Sequence, residues 1–351
     1  MINFFRKIRK KNLTDNKFSK YVLYAIGEIV LVVIGIVIAL QINNWNENTK
    51  SFNKTELLLK QVQKEMAVNI KNANTVIDFY REINPDFYKI INKKVTEEDY
   101  RKQPNLTFIL QRVETVDIAN DAFVNLLNNK GELSEAQDSI IFKLDNLYKK
   151  VKKEVDILDE KVLSDLFKFI EELSATKAWY GKFSNTYDIN DEVIEYFLND
   201  PFYYNKVINF DLISINNHLR KVIEFRNASL HLYDELSDYL EMDTDESFTK
   251  NNDSIAHYLG SYNLENQKNY IFTIENNQNL RYLNYTLKNS NDSTFFRTSK
   301  VYFDTKKNFI AGFSFGRFLF NEEDEVEAFF LEVGEIRQKF IKIDNDALQL
   351  K

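Results

Sequence analysis

Hydrophobic positions recur along this chain with three different periods, and the changes of period divide it. Residues 21–42, YVLYAIGEIVLVVIGIVIALQI, are apolar on every side, with Glu28 as the one charge. As a helix they rise roughly 33 Å, which matches a hydrocarbon core of about 30 Å. From 43 to 83 the apolar residues fall at helical spacing, at Leu58, Val62, Met66, Ile70, Ala73, Ile77 and Tyr80. This predicts that the same helix continues until Pro85 ends it. Residues 84–104 predict a loop with short helices. A helix near 117–129 follows, with Ala119, Phe123, Leu126 and Leu127 inward, stopped by Asn128-Asn129-Lys130-Gly131.

Over 133–178 the stripe runs Leu133, Ala136, Ile140, Leu144, Leu147, Val151, Val155, Leu158, Val162, Leu166, Phe169 and Leu173. Its 3-4-4 steps are an eleven-residue repeat and predict a nearly straight helix roughly 65 Å long. A short helix is expected over 191–198, and Asp200-Pro201 opens another to about Leu240. Long helices joined by short turns predict an antiparallel bundle of about four over 43–241.

The stretch 242–254 is polar and reads as a linker. Beyond it the period becomes two, and strands are expected at 270–275, 279–287, 294–304 and 308–320, an antiparallel β domain over 255–320. In the last segment, 321–351, Val326, Phe329, Phe330, Val333, Ile336 and Phe340 share one helical face. They predict a final helix over 322–342 that covers the sheet, followed by a tail. The expected fold class is therefore mainly α: an N-terminal transmembrane helix, a long antiparallel helical bundle, and a small α+β C-terminal domain.

Composition agrees with long helices, for the chain holds 8 Gly and 3 Pro in 351 residues. It has no cysteine, which removes disulfides, thiolate metal sites and Cys nucleophiles. The net charge is −7. Residues 1–20 carry Arg6, Lys7, Arg9, Lys10, Lys11, Lys17 and Lys20 against Asp15. A basic head on an acidic body suits a membrane-side arm better than nucleic-acid binding, and no nucleic-acid partner is expected. Lys50, Lys54 and Lys60 are the only basic residues in 43–62. The positive-inside rule then places 1–20 in the cytoplasm and the bulk of the chain in the periplasm, anchored in the inner membrane by 21–42. A cleaved signal peptide is the rival reading, but no small-x-small site follows the apolar stretch.

Fourteen of the 22 residues in the span are Ile, Leu or Val. At about −0.3 to −0.6 kcal/mol each they outweigh the roughly 3 kcal/mol that an ionised Glu28 opposes. Gly35 and Ala39 follow Glu28 at +7 and +11 on nearly the same face. A small-xxx-small face lets helices approach closely, and a protonated Glu28 can donate across such a contact. Self-association or a membrane partner along Glu28, Gly35 and Ala39 is expected, and a carboxylate snorkelling to the interface is the simpler alternative.

The run Lys17-Phe18-Ser19-Lys20-Tyr21, Ala25-Ile26-Gly27-Glu28-Ile29-Val30, and Ala39-Leu40-Gln41-Ile42-Asn43-Asn44-Trp45-Asn46-Glu47 resembles the N-terminal signature of an uncharacterised family of flavobacterial (Bacteroidota) membrane proteins, a domain of unknown function. The segment from Ala122 to Leu133 resembles that family's helix–Gly–helix element. The resemblance implies an anchored, exported helical domain and no activity. Tyr258-Leu259-Gly260-Ser261-Tyr262, Thr294-Phe295-Phe296, Val301-Tyr302-Phe303-Asp304 and Ala311-Gly312-Phe313 resemble the small lipocalin-like barrel that follows some β-lactamase-type hydrolases. No Ser-x-x-Lys precedes them, so hydrolase activity is not implied.

Candidate chemistry is sparse. Of the three histidines His218, His231 and His257, none lies i, i+4 from another. Each reads as structural, and no metal or other cofactor is expected. Asp243-x-Asp245-Glu246 lacks the Gly and Glu of a calcium loop, and Glu322-Glu323-Asp324-Glu325 reads as an acidic helix N-terminus. The clusters Trp179-Tyr180-Gly181 and Phe202-Tyr203-Tyr204 read as bundle-end packing, with a pocket lining as the alternative. The function expected is that of a non-catalytic, membrane-anchored interaction or scaffold protein. The alternative is a small-molecule-binding or sensory module that uses a cavity in the β-rich domain. A cleft joining His257 to buried carboxylates would point to an enzyme instead.

Overall fold

The computed structural model describes residues 18–243, 255–276, 283–303, 307–333 and 336–343. The basic segment 1–17, residues 244–254 of the expected linker with Asp245 and Glu246, and the tail after Ile343 lie outside the described residues.

Helix α1 runs Phe18–Ile91, 74 residues without interruption. Its first part is apolar and long enough to cross a membrane, and none of the most apolar window is buried against the rest of the chain. Residues 43–54 hold no buried side chain and make a stalk of roughly 18 Å. From Thr55 onward one face is buried through Leu59, Val62, Met66, Ile70, Ala73, Ile77 and Tyr80. Pro85 lies inside the helix and does not end it. A proline there removes one hydrogen bond and clashes with the preceding turn, at about 3 kcal/mol. Ile83, Phe87 and Ile90 around it are all buried. At about 1.5–3 kcal/mol each, they outweigh that loss and carry the helix on.

Short elements follow: α2 (Glu97–Lys102), closed by a Thr96–Asp99 capping box, a 3₁₀ turn (Pro104–Gln111), and α3 (Asp121–Asn129). Helix α4 covers 135–176; a Ser134–Gln137 capping box starts it, and its ladder widens to a π turn at Leu147–Val151. Helices α5 (Tyr180–Thr186) and α6 (Asp191–Asn199) lead to α7, which covers 201–239. Asp200 caps α7, with Pro201 in its first turn, and a π segment spans Asp211–Leu219. There the side-chain amides of Asn216 and Asn217 also donate five residues back, to the carbonyls of Asp211 at 3.2 Å and Leu212 at 2.6 Å.

Cross-links between the long helices fix their directions. Gln63–Ser237 (2.7 Å), Asn74–Arg226 (2.9 Å) and Tyr80–His218 (3.2 Å) set α7 antiparallel to α1. Glu154–Lys221 (2.7 Å) and Glu172–Lys206 (2.6 Å) set α4 antiparallel to α7.

The C-terminal part corrects the expected fold class. It is not a small α+β domain with a covering helix but a closed antiparallel barrel of eight strands in sequence order. These are β1 (Gly260–Leu264), β2 (Gln267–Asn276), β3 (Leu283–Asn289), β4 (Asp292–Phe303), β5 (Asn308–Ala311), β6 (Ser314–Phe320), β7 (Val326–Val333) and β8 (Ile336–Ile343). The helix expected over 322–342 is the β7–β8 hairpin, and β8 closes the barrel by pairing with β1, Ser261 opposite Ile343. Four strands alone would leave two unpaired edges, and closure satisfies both. The strand expected over 308–320 is two, because Gly312 turns the chain at φ 62. Glu322 to Glu325 form a turn rather than a helix start, with the Asn321 side chain accepting from the amides of Glu323 (3.0 Å) and Glu325 (2.9 Å).

Rings fill the barrel. Phe272 stacks on Tyr285 at 4.5 Å, Phe329 on Phe340 at 4.9 Å, and Phe309 lies 4.3 Å from Phe318. Gly316 pairs with Phe309 across β5–β6, and a Cβ there would fall on the Phe309 ring. Only glycine lets that ring lie flat over the strand.

Candidate functional site

Glu28, Gly35 and Ala39 all lie on α1. Seven residues turn a helix by about 700° and eleven by about 1,100°, so the three share a face roughly 40° wide and about 16 Å long. A Cβ added at Gly35 would meet nothing within 4 Å. Nor is any residue in 22–50 buried. This face is thus an open strip at the base of the molecule.

The three histidines lie apart. His218 is fully buried in the π segment of α7. Its Nδ1 lies 3.2 Å from the Tyr80 hydroxyl on α1, and its Nε2 lies 2.6 Å from Asp159 Oδ1 on α4. The second approach is close enough for an ion pair but is not aligned as a hydrogen bond. Burial, reinforced by Asp159, pushes the Tyr80 phenol well above its ordinary range, so it stays a donor. One side chain from each long helix therefore meets at a single imidazole. Nδ1 meets the Tyr80 hydroxyl, Nε2 faces Asp159, and the ring has no solvent contact, whereas a general base must reach a substrate proton. The cluster is a clamp. The neighbouring cleft, about 150 Å³, touches it only through Ser214, which hydrogen-bonds to Tyr80.

His231 belongs to the seam between bundle and barrel. Its Nε2 lies 2.5 Å from the Tyr302 hydroxyl and 3.2 Å from Lys300 Nζ, both on β4. Burial, and then the Lys300 charge, lower its pKa to about 4, so it is neutral at pH 7. Buried Arg226 ties the same seam, donating to Asn74 Oδ1 and to the Phe303 carbonyl, both at 2.9 Å. Cations of the bundle face rings of the barrel: Arg81 lies 4.8 Å from the Phe315 centroid and Arg220 5.3 Å from that of Phe313. Tyr302, Ile310 and Phe315 bury into the helical core. The barrel is thus seated on α1 and α7. Sequence reading missed this seam because no local pattern announces which face of a barrel is covered.

His257 is exposed in the turn before β1, where its carbonyl accepts from Lys342 Nζ at 3.0 Å. Of the aromatic clusters, Trp179 packs against Phe183 and Tyr196 at 5.5 Å each. Tyr203 and Tyr204 line a cleft of about 450 Å³ at the far end of α1. Among the described residues no group of three or more His, Asp or Glu is placed to hold a metal ion. Compared with protein-family models, with curated proteins and with solved structures, the chain matches none.

Proposed function

We propose that this chain is a membrane-anchored, extracytoplasmic, non-catalytic interaction or scaffold protein. Residues 21–42 span the inner membrane with the basic N-terminus in the cytoplasm. A membrane partner or a second copy of the chain binds along Glu28, Gly35 and Ala39. The observation that carries this reading is the unbroken helix α1, whose apolar start and buried second half are one rod. A rod of this kind transmits tilt or rotation at its base to the seam at Asn74–Arg226 without a hinge. Unbroken helix through the residues after the apolar stretch also favours a retained anchor over a cleaved signal. The resemblance of the N-terminal run to the flavobacterial membrane family points the same way. The alternative, a barrel that houses a small molecule, has the closed barrel in its favour and its ring-filled interior against it.

Since the chain lacks cysteine, one introduced thiol reports contacts without background. Ala39→Cys in native membranes is expected to give an oxidative cross-link to a partner or a second copy. Val37→Cys, about 180° around the helix, is expected to give little, and Glu28→Leu is expected to weaken the Ala39 cross-link. Equal yields from positions 37 and 39, or digestion of the C-terminal part by added protease only after the inner membrane is breached, would overturn the proposal.

A further inference from the structure

The cleft of about 450 Å³ opens between the loop after α1 and the start of α7. Its volume falls within the roughly 300–1,000 Å³ of small-molecule sites. It lies some 70 Å along α1 from residue 42, so an occupant arrives from solution and not from a bilayer.

The floor is made by Ile90, Val95, Phe197, Tyr100 and Tyr203. The Tyr100 hydroxyl is spent on the Phe197 carbonyl at 3.0 Å, and the Tyr204 hydroxyl on the Ile91 carbonyl at 2.9 Å. Beside these committed groups the floor offers mostly ring and methyl surface, with the Tyr203 hydroxyl buried in it. The one carboxylate in the lining, Asp200, is also committed. Its Oδ1 accepts from the amides of Phe202 (2.8 Å) and Tyr203 (3.0 Å), and its Oδ2 lies 3.5 Å from Lys177.

Lys93 stands at the mouth. Its backbone is left-handed, φ 53, a conformation that costs a residue with a Cβ about 1–2 kcal/mol and that falls to Gly or Asn at most helix ends. Its ammonium sits 4.6 Å over the Tyr204 ring, and among the described residues it forms no ion pair. A cation therefore stands over the Tyr204 ring at the edge of a mostly apolar floor, and the side chains of Asn199 and Asn205 also line the cleft.

We infer that this cleft binds a small organic carboxylate with an apolar or aromatic body, its carboxylate at Lys93 and its body on the Phe197–Tyr203 floor. A cation is repelled at the mouth, and a sugar finds too few free donors and acceptors on the floor. An uncharged apolar molecule of the same shape binds, but without the contact to Lys93.

The test uses the full chain in lipid nanodiscs at pH 7, with 3-phenylpropionate and its uncharged isostere 3-phenylpropanamide as probes in ligand-observed NMR titrations. The acid is expected to bind about fivefold more tightly than the amide, since a partly exposed ion pair contributes up to about 1 kcal/mol. Lys93→Gln is expected to bring the two affinities together while leaving the amide's unchanged. Val95→Trp, which fills the floor, is expected to abolish saturable binding of both. Exposed Lys93 can be changed without touching the core, so a folding defect does not confuse the result. The inference is overturned if the acid shows no saturable binding below about 10 mM, if acid and amide bind alike to the unaltered chain, or if the ratio survives Lys93→Gln.

Discussion

Gly316→Ala isolates the packing of the barrel interior in one atom. Gly316 lies opposite Phe309 on the paired strands, and its Cα sits beneath the ring. An alanine Cβ would enter the ring at Cε1, Cε2 and Cζ. The ring cannot withdraw, because Phe318 is 4.3 Å behind it and Phe329 is 5.5 Å away. Overpacking of this kind costs typically about 1–3 kcal/mol. Alanine in place of glycine in a strand returns about 0.5–1 kcal/mol through the unfolded chain. The net expectation is a barrel about 1–2 kcal/mol less stable. Native-state hydrogen exchange in peptides from β5 and β6 measures it, with protection falling roughly five- to thirtyfold. Both tryptophans lie outside the barrel, Trp45 in α1 and Trp179 in the turn before α5, so the denaturant midpoint followed by tryptophan fluorescence is expected to stay put as an internal control. Phe309→Leu costs stability alone by leaving a void. Combined with Gly316→Ala it should cost at least about 1 kcal/mol less than the sum of the two. Unchanged exchange in Gly316→Ala, or simple additivity in the double variant, would show that the ring does not press on this strand.

Three further outcomes follow from the helices and the seam. The His231 pKa is about 4 in the fold against 6.5 as its ordinary value. The unfolded chain therefore takes up the proton first, and stability is lost as pH falls from about 6.5 towards 4. His231→Gln should flatten that part of the profile of Tm against pH, and an unaltered slope would mean the histidine is not what titrates. Tyr80→Phe leaves His218 Nδ1 buried without its partner and should cost about 1–3 kcal/mol in urea unfolding; no change would remove the three-helix clamp. Pro85→Ala restores an amide within a helix that already continues past it, and should raise stability by about 1–3 kcal/mol. A fall in the midpoint would show that the proline contributes to packing.

Much of the helical half was legible. The apolar run and the 3-4 spacing of Leu58 to Tyr80 place one face of α1 in the core because a helix repeats every 3.6 residues whatever surrounds it. The 3-4-4 stripe from Leu133 to Leu173 likewise marked α4, although Leu133, Leu158 and Leu166 end only part-buried and Ala136 exposed. Pro85 misled because local chemistry opposes a helix there, while the burial of Ile83, Phe87 and Ile90 is a tertiary fact. In the β half, Val326, Phe329, Val333, Ile336 and Phe340 fit a helical face as well as two strands, and short apolar runs do not separate the two by periodicity. The fold chose strands because β1 needed a partner on its free edge.

What the sequence determined by itself is what depends on neighbours within one or two turns: the apolar segment at 21–42, the helix opened by Asp200-Pro201, and the alternation in β2 and β4. Only the tertiary structure decided closure of the barrel, its seat on Arg226 and His231, the meeting of Tyr80, Asp159 and His218, and the lysine at the mouth of the distal cleft. Those contacts join residues dozens of positions apart. They are stable because long-range burial makes up for chain entropy, and no window of sequence carries that balance.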